Sequence, residues 1–422
     1  MFMDITELYS LYRQHPIIST DSRNIPKNGI FFALKGDRFD GNVFAQAALE
    51  SGAAYSVIDN ADYKISEACI LVEDVLTALQ QLAQMHRKSF HFPVLAITGS
   101  NGKTTTKELC REVMASKYKT HATKGNLNNH IGVPLTLLSV PPEIEFLIVE
   151  MGANHQGEIE NLCTIAMPDF VTITNIGKAH LEGFGGPEGV KKGKSEMYRY
   201  AAIAGGRIFV NMYDEILVSV LPDGADIIPY HADAIQAQDS EANALVFQYM
   251  NQAIHTHLYG TYNLPNIAFA IAAGEYFGVP QHNVIRAISG YRPENNRSQV
   301  IKKGSITYIK DAYNANPSSM KASLEEFISL PASKKIIILG DMLELGPYSM
   351  EAHREIIDLA SKGGFADMIF IGDQFCIAGQ NLPGKYFPDT VTARTYFERV
   401  DKENATILMK GSRGIAVERL MD

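Results

Sequence analysis

Residues 94–109 read VLAITGSNGKTTTKEL. The run Val94, Leu95, Ala96, Ile97 has the composition of a buried strand, and the stretch through Met114 reads as a helix. Between them lies a loop of Gly99, Ser100, Asn101 and Gly102. A strand, a glycine loop and a helix opening on Lys103, Thr104 and Thr105 form the context that a phosphate-binding loop requires. Backbone N–H groups converge at such a turn, and the helix N-terminus adds positive potential. Lys103 supplies a full charge, and the Thr104 hydroxyl can hold a magnesium ion. One position departs from the usual pattern: Ile97 stands where its first glycine belongs. The alternative is an ordinary glycine turn capped by Thr and Lys. The flanking strand and helix favour a nucleoside triphosphate site.

Working outward, strands and helices alternate from Pro93 on. Further strands are predicted at 146–150, 170–174 and 207–211, in runs apolar enough to be covered on both faces, which predicts a parallel sheet. Residues 245–259 alternate as a hairpin does, and 263–277 and 281–289 read as helices. Before the loop, strands at 30–34 and 55–58 flank a helix near 43–51, and HRKSFHFP (86–93) reads as a linker. A second break, GYRPENNRSQ, spans 290–299. Beyond it the alternation restarts, with strands at 306–310, 335–339, 368–371 and 406–409 and helices at 318–329 and 350–361. That predicts a smaller doubly wound unit.

A chain of 422 residues is too long for one ordinary core, so two or three domains are expected. With 47 acidic against 38 basic residues the net charge is −9, which argues against a general nucleic-acid binder. The four cysteines, Cys69, Cys110, Cys163 and Cys376, form no CxxC pair, so neither zinc nor a disulfide framework is indicated. No secretory leader and no bilayer-length apolar run is found, and a reduced cytoplasm is the simplest location.

Several polar clusters sit where ligands bind in open α/β sheets, at the carboxyl ends of strands. FLIVE ends in Glu150, a natural magnesium ligand beside a phosphate loop, or else a strand-end carboxylate facing water. His180 follows the strand FVTITN in a glycine-bounded loop. Lys191, Lys192 and Lys194 read by default as a solvated basic face, although a buried lysine could act chemically, even as a carbamate. KGNLNNHIGVP (124–134) and DAYNANPSS (311–319) are either turn-rich loops or sets of amides aimed at phosphate. Thr20, Ser22, Arg23 and Lys35 could bind an anionic sugar nucleotide or belong to polar turns. LGDMLELG places Asp341 and Glu344 at a strand end, and KGSRG places Lys410 and Arg413 between a strand and an expected helix.

Taken together, TDSR, ALKGDRFDG, GSNGKTTTKE, GNLNNHIGVPLT, VEMGANHQGEI, TNIGKAHLEGFG, YNLPN, DAYNANPSSM, LGDMLELG and KGSRG resemble the Mur ligases of bacterial cell-wall synthesis along nearly the whole chain. The resemblance is to the type that adds D-alanyl-D-alanine. The tripeptide-forming relatives usually carry DNPR where this chain has LGDMLELG, and the NKxD motif of guanine-nucleotide switches is absent.

The resemblance implies an α/β protein of three domains: a small UDP-substrate-binding domain (1–87), a central P-loop ATPase domain with a mainly parallel sheet (88–293), and a C-terminal Rossmann-like domain (294–422) that binds the incoming dipeptide. It implies ATP-dependent joining of D-alanyl-D-alanine to UDP-N-acetylmuramoyl-tripeptide through an acyl phosphate, with ATP and magnesium as cofactors, in a monomer that enters no membrane. Thr104 and Glu150 would hold one magnesium ion, and His180 with a carbamylated Lys194 a second, though the family reads AKGE more often than GKSE here. Lys103 and Asn126 would serve the reacting phosphate. Asn129, Asn263, Asn266, Arg297, Tyr313, Asn314 and Asn316 would contact the nucleotide. Thr20, Ser22, Arg23, Lys35, Asp40, Asp341, Lys410, Ser412 and Arg413 would meet the substrates. Domain closure would keep water from the acyl phosphate.

Overall fold

The computed structural model describes residues 2–37, 39–238, 244–294 and 296–421. Three parallel or mainly parallel sheets follow one another along the chain, each flanked by helices. The first has four parallel strands, ordered Ile18–Ser19, Ile30–Phe32, Tyr55–Ile58, Cys69–Leu71.

The central sheet has six strands in the order Ile227–Tyr230, Arg207–Asn211, Phe170–Ile173, Val94–Thr98, Phe146–Glu150, Thr120–Ala122, all parallel. The phosphate-loop strand therefore lies inside the sheet. Its Val94, Leu95, Ala96 and Ile97 are each 0% exposed. Complete burial of a Val, Leu or Ile side chain contributes about 1.5–3 kcal/mol, so this strand is fixed mainly by its apolar sequence. After Phe146–Glu150 the chain crosses the phosphate-loop strand to begin Phe170–Ile173. The direction of winding reverses there, and a crevice opens at the carboxyl ends of these strands.

The expected hairpin is present as Val246–Tyr249 paired with Gln252–His255, with Gln236–Gln238 completing a three-stranded antiparallel sheet. Met250 and Asn251 turn it with φ of +46° and +60°. The third sheet runs Gln299–Lys303, Ile306–Lys310, Thr406–Lys410, Lys335–Gly340, Asp367–Ile371, Lys385–Phe387, and only its first pair is antiparallel.

Two local expectations are corrected. The segment 86–93 is not linker throughout: His86 and Arg87 complete the helix Val75–Arg87. The buried Arg87 guanidinium donates to Ala166 O (2.9 Å), Met167 O (2.7 Å) and Asp169 Oδ2 (3.0 Å), binding that helix to the central layer. The tail after Lys410 does not open an α-helix. Gly411 and Gly414 disfavour one, Ala416 is left-handed at φ +53°, and only a short 3-10 turn, Val417–Met421, follows. Among the described residues no helix is long and apolar enough to cross a membrane.

Candidate active site

The loop between Thr98 and Lys103 needs glycine at two positions. Gly99 has φ +145°, and a Cβ there would approach Thr174 Oγ1 to 2.0 Å. Gly102 has φ +80°, and its Cβ would meet Asn266 Oδ1 at 2.5 Å. The end of the neighbouring strand holds the loop in place. Ser100 N donates to Asn175 O at 2.9 Å, Ser100 Oγ to Gly177 O at 3.0 Å and Asn101 N to Asn175 Oδ1 at 3.1 Å. The helix Lys103–Ala115 then starts with its first-turn residues lining a cavity, and first-turn N–H groups have no partner within a helix.

That cavity, about 660 Å³, lies between the central and C-terminal layers. Lys103, Thr104, Glu150 and His180 line one side, and Arg297, Tyr313, Asn314, Asn316 and Lys410 the other. Ser100, Asn101, Gly102, Thr105, Asn126 and Asn129 also face it, whereas Gly99 does not line it. The Lys103 ammonium folds back onto Gly99 O (2.6 Å) and Ser100 O (3.1 Å). Removal from water, aided by Arg297 and opposed by Glu150, pushes this amine down to about 8.

Glu150 is buried at its strand end. Its Oε1 accepts hydrogen bonds from Thr104 Oγ1 (3.0 Å) and Asn128 Nδ2 (2.8 Å), and its Oε2 is buried without a partner. A buried orphan oxygen calls for an occupant. A carboxylate and a hydroxyl are ligands that suit a hard cation such as magnesium. Among the described residues, no three His, Cys, Asp or Glu side chains gather as a self-sufficient metal cage. Magnesium does not need one, because it retains waters and substrate phosphates as ligands.

Asn263 and Asn266 form a buried amide chain. Asn266 Nδ2 donates to Asn263 Oδ1 at 3.0 Å, and Asn263 Nδ2 to Tyr259 O at 2.8 Å. From the C-terminal side, Asn316 caps the helix Pro317–Ser329 and its Nδ2 donates to Asn101 Oδ1 at 2.7 Å. The Arg297 guanidinium stacks 3.5 Å from the Tyr313 ring centroid, with its Nε buried and unpartnered. Lys410 pairs with Asp311 at 2.6 Å.

His180 Nδ1 is bonded to the Glu344 carboxylate of the C-terminal layer. Lys194 is 0% exposed, unlike the exposed Lys192. Its Nζ donates to Ala153 O at 3.2 Å and lies 5.1 Å from the Phe184 ring centroid. Burial first, and the Lys103 charge second, push its pKa well below that of an ordinary lysine, which favours a neutral, nucleophilic amine.

Three family descriptions match the chain: the Mur ligase middle domain over residues 97–274, the Mur ligase glutamate ligase domain over 296–413, and the Mur ligase family catalytic domain over 16–87. The UDP-N-acetylmuramoyl-tripeptide–D-alanyl-D-alanine ligase of Bacillus subtilis is 35% identical, covering 96% of this chain and 92% of the relative. The chain belongs to the Mur ligase family.

Among solved structures, MurF of Acinetobacter baumannii superposes with a TM-score of 0.85 at 30% identity, over 96% of this chain and 92% of that one. MurF of Thermotoga maritima, solved in complex with ADP, gives 0.82 at 27% identity over 96% of each chain. The three-domain α/β architecture expected for a Mur ligase of the MurF type is thus present.

Not every candidate of this Mur ligase reaches the cavity. Lys194 is buried outside the cavity lining, and Thr20, Ser22, Arg23, Lys35 and Asp40 lie in the first layer, also outside it. There Arg23 pairs with Asp21 (2.8 Å), Lys35 with Asp59 (2.7 Å), and Asp40 accepts from Asn42 N (2.9 Å). Asp341 is buried and spends both oxygens on the start of helix Asp373–Ala378, accepting from Gln374 N and Phe375 N at 2.8 Å. Ser412 accepts from Leu343 N at 3.0 Å, and Arg413 is exposed, 5.7 Å from the Tyr313 ring centroid. Conversely, Asn128, Asn175, Asp311 and Ser318 line the cavity although the sequence did not single them out. Each lies within or beside a quoted polar motif, but loops have no periodicity that tells inward from outward side chains.

Proposed function

We propose that this Mur ligase uses ATP to join D-alanyl-D-alanine to UDP-N-acetylmuramoyl-tripeptide, releasing ADP and phosphate. The observation that carries the reading is the phosphate loop and Glu150 facing Arg297, Tyr313 and Asn316 across one cavity. Two relatives of the chain, from Bacillus subtilis and Treponema pallidum, bear the name of this reaction. The γ-phosphoryl group passes to the tripeptide's terminal carboxylate oxygen as the bond to ADP breaks. The dipeptide amine then attacks the acyl carbon, loses a proton and expels phosphate. A carboxylate is a poor electrophile, and phosphorylation supplies its leaving group.

Two anions must meet, so the site needs positive charge. Lys103 and the helix N-terminus supply it on the phosphates. Asn126 and Asn129 offer amides near the reacting phosphate, and Asn263, Asn266, Arg297, Tyr313 and Asn314 the nucleoside contacts. Thr104 and Glu150 would hold one magnesium ion, and His180 with carbamylated Lys194 a second; bound there, magnesium neutralises phosphate charge. The C-terminal layer excludes water from the acyl phosphate.

In this reading residues 1–87 bind the UDP end through Thr20, Ser22, Arg23, Lys35 and Asp40, 88–293 bind ATP, and 294–422 bind the dipeptide with help from Lys410 and Arg413. The enzyme works in the cytoplasm as a monomer, a setting that its four free thiols suit. Mass spectrometry of the product tests the proposal. It predicts a single new species equal to tripeptide substrate plus dipeptide less one water, formed only with ATP; unaltered substrates would overturn it.

A further inference from the structure

Glu344 stands on a loop that is anchored from below. Asp341 caps a helix, Met342 N donates to the buried His353 Nε2 at 3.1 Å, and Leu343 N donates to Ser412 Oγ at 3.0 Å. From this base Glu344 reaches across to the central layer at two points. Its carboxylate bonds His180 Nδ1, and its carbonyl accepts from Glu182 N at 3.1 Å. Both partners hold left-handed backbone, His180 at φ +52° and Glu344 at φ +63°, which non-glycine residues keep only where their surroundings demand it. Two residues on, Gly346 sits so near Glu182 that a Cβ would come within 3.2 Å of its side chain. His180 Nε2 makes no hydrogen bond among the described residues, and the residue lines the cavity.

We propose that Glu344 is a positioning residue for His180, supplied by the C-terminal domain. A carboxylate accepting from Nδ1 fixes the imidazole in the Nδ1–H tautomer and leaves the Nε2 lone pair toward the cavity. Because Glu344 and His180 belong to different layers, His180 gains this orientation only when the domains meet. The closing contact therefore completes the basic side of the site, as well as excluding water. The inference rests on the ligase reading for its kinetic consequence but not for its structural one.

The test uses the full chain labelled with ¹⁵N-histidine at alkaline pH without substrates, with the His180 signals assigned by their loss in His180→Gln. Wild type shows the Nδ1–H tautomer. Glu344→Ala shifts the population toward Nε2–H, whereas Glu344→Gln, whose amide oxygen still accepts, retains the wild-type pattern. In turnover assays Glu344→Ala lowers kcat ~10–100-fold with KM for the UDP substrate unchanged, and Glu344→Gln recovers most of it. Matched melting curves exclude misfolding. An unchanged tautomer in Glu344→Ala overturns the inference, as does an unchanged kcat in an active enzyme. Absence of ligase activity in wild type would overturn the function reading and leave the tautomer result to decide this one.

Discussion

The Thr104 hydroxyl donates to Oε1 of Glu150 at 3.0 Å, while Oε2 of the same carboxylate is buried with no partner. A strand end and a helix start, 46 residues apart in sequence, thus present one open carboxylate oxygen beside the phosphate loop. Glu150→Gln should lower kcat on the order of 10²-fold and raise the magnesium concentration needed for half-maximal rate. A magnesium titration of both proteins checks this, and superimposable curves would contradict it.

Lys103 is held at about 8 by burial, so its charge is present below that pH and lost above it. Affinity for a non-hydrolysable ATP analogue should fall as pH rises through about 8, by up to ~tenfold per unit. The stability effect has the opposite slope. Between about 8 and the ordinary 10.5 the unfolded state binds the extra proton, so this group's contribution to stability rises with pH. Calorimetric titrations from pH 7 to 9 check the first claim, and Lys103→Met should flatten the profile.

Lys194 is fully buried with a strongly lowered pKa, which suits an amine that captures CO2. Lys194→Ala should abolish turnover, and short carboxylic acids should restore part of it. Wild type with ¹³C-bicarbonate should give a carbamate resonance that the variant lacks. Full activity in the variant would contradict the role.

Asn316 joins two layers, capping Pro317–Ser329 while donating to Asn101. Asn316→Ala should cost ~1 kcal/mol of stability through the lost cap. It should also raise KM for ATP, because Asn101 lies in the phosphate loop. Thermal melts with and without nucleotide separate the two effects; a nucleotide-induced shift equal to that of wild type would contradict the second.

The central strands were legible because complete burial writes a continuous apolar run, and Val94–Thr98, Phe146–Glu150 and Arg207–Asn211 end where composition changes. The edge elements were not. Ile227–Tyr230 is a short run interrupted by Pro229, a residue that argues against a strand, and Gln236–Gln238 is polar and exposed, so neither reads as a strand. The cavity's central half was readable from motif chemistry. The other half came only from the family resemblance, and the bond that closes the two was not readable, because it runs from Asn316 to Asn101 across 215 residues and involves two amides common in loops. Lys191, Lys192 and Lys194 look alike in composition and spacing; the family resemblance alone singled out Lys194, and the packing of Phe184 and Ala153 around it supplies the physical difference.

Phosphate release from ATP tests the central claim most directly. Purified protein with magnesium and UDP-N-acetylmuramoyl-tripeptide is offered D-alanyl-D-alanine or single amino acids. Release that requires both the tripeptide substrate and the dipeptide is the predicted result. Release with a single amino acid and a shorter UDP substrate, or no release with any acceptor despite ATP binding, would contradict it.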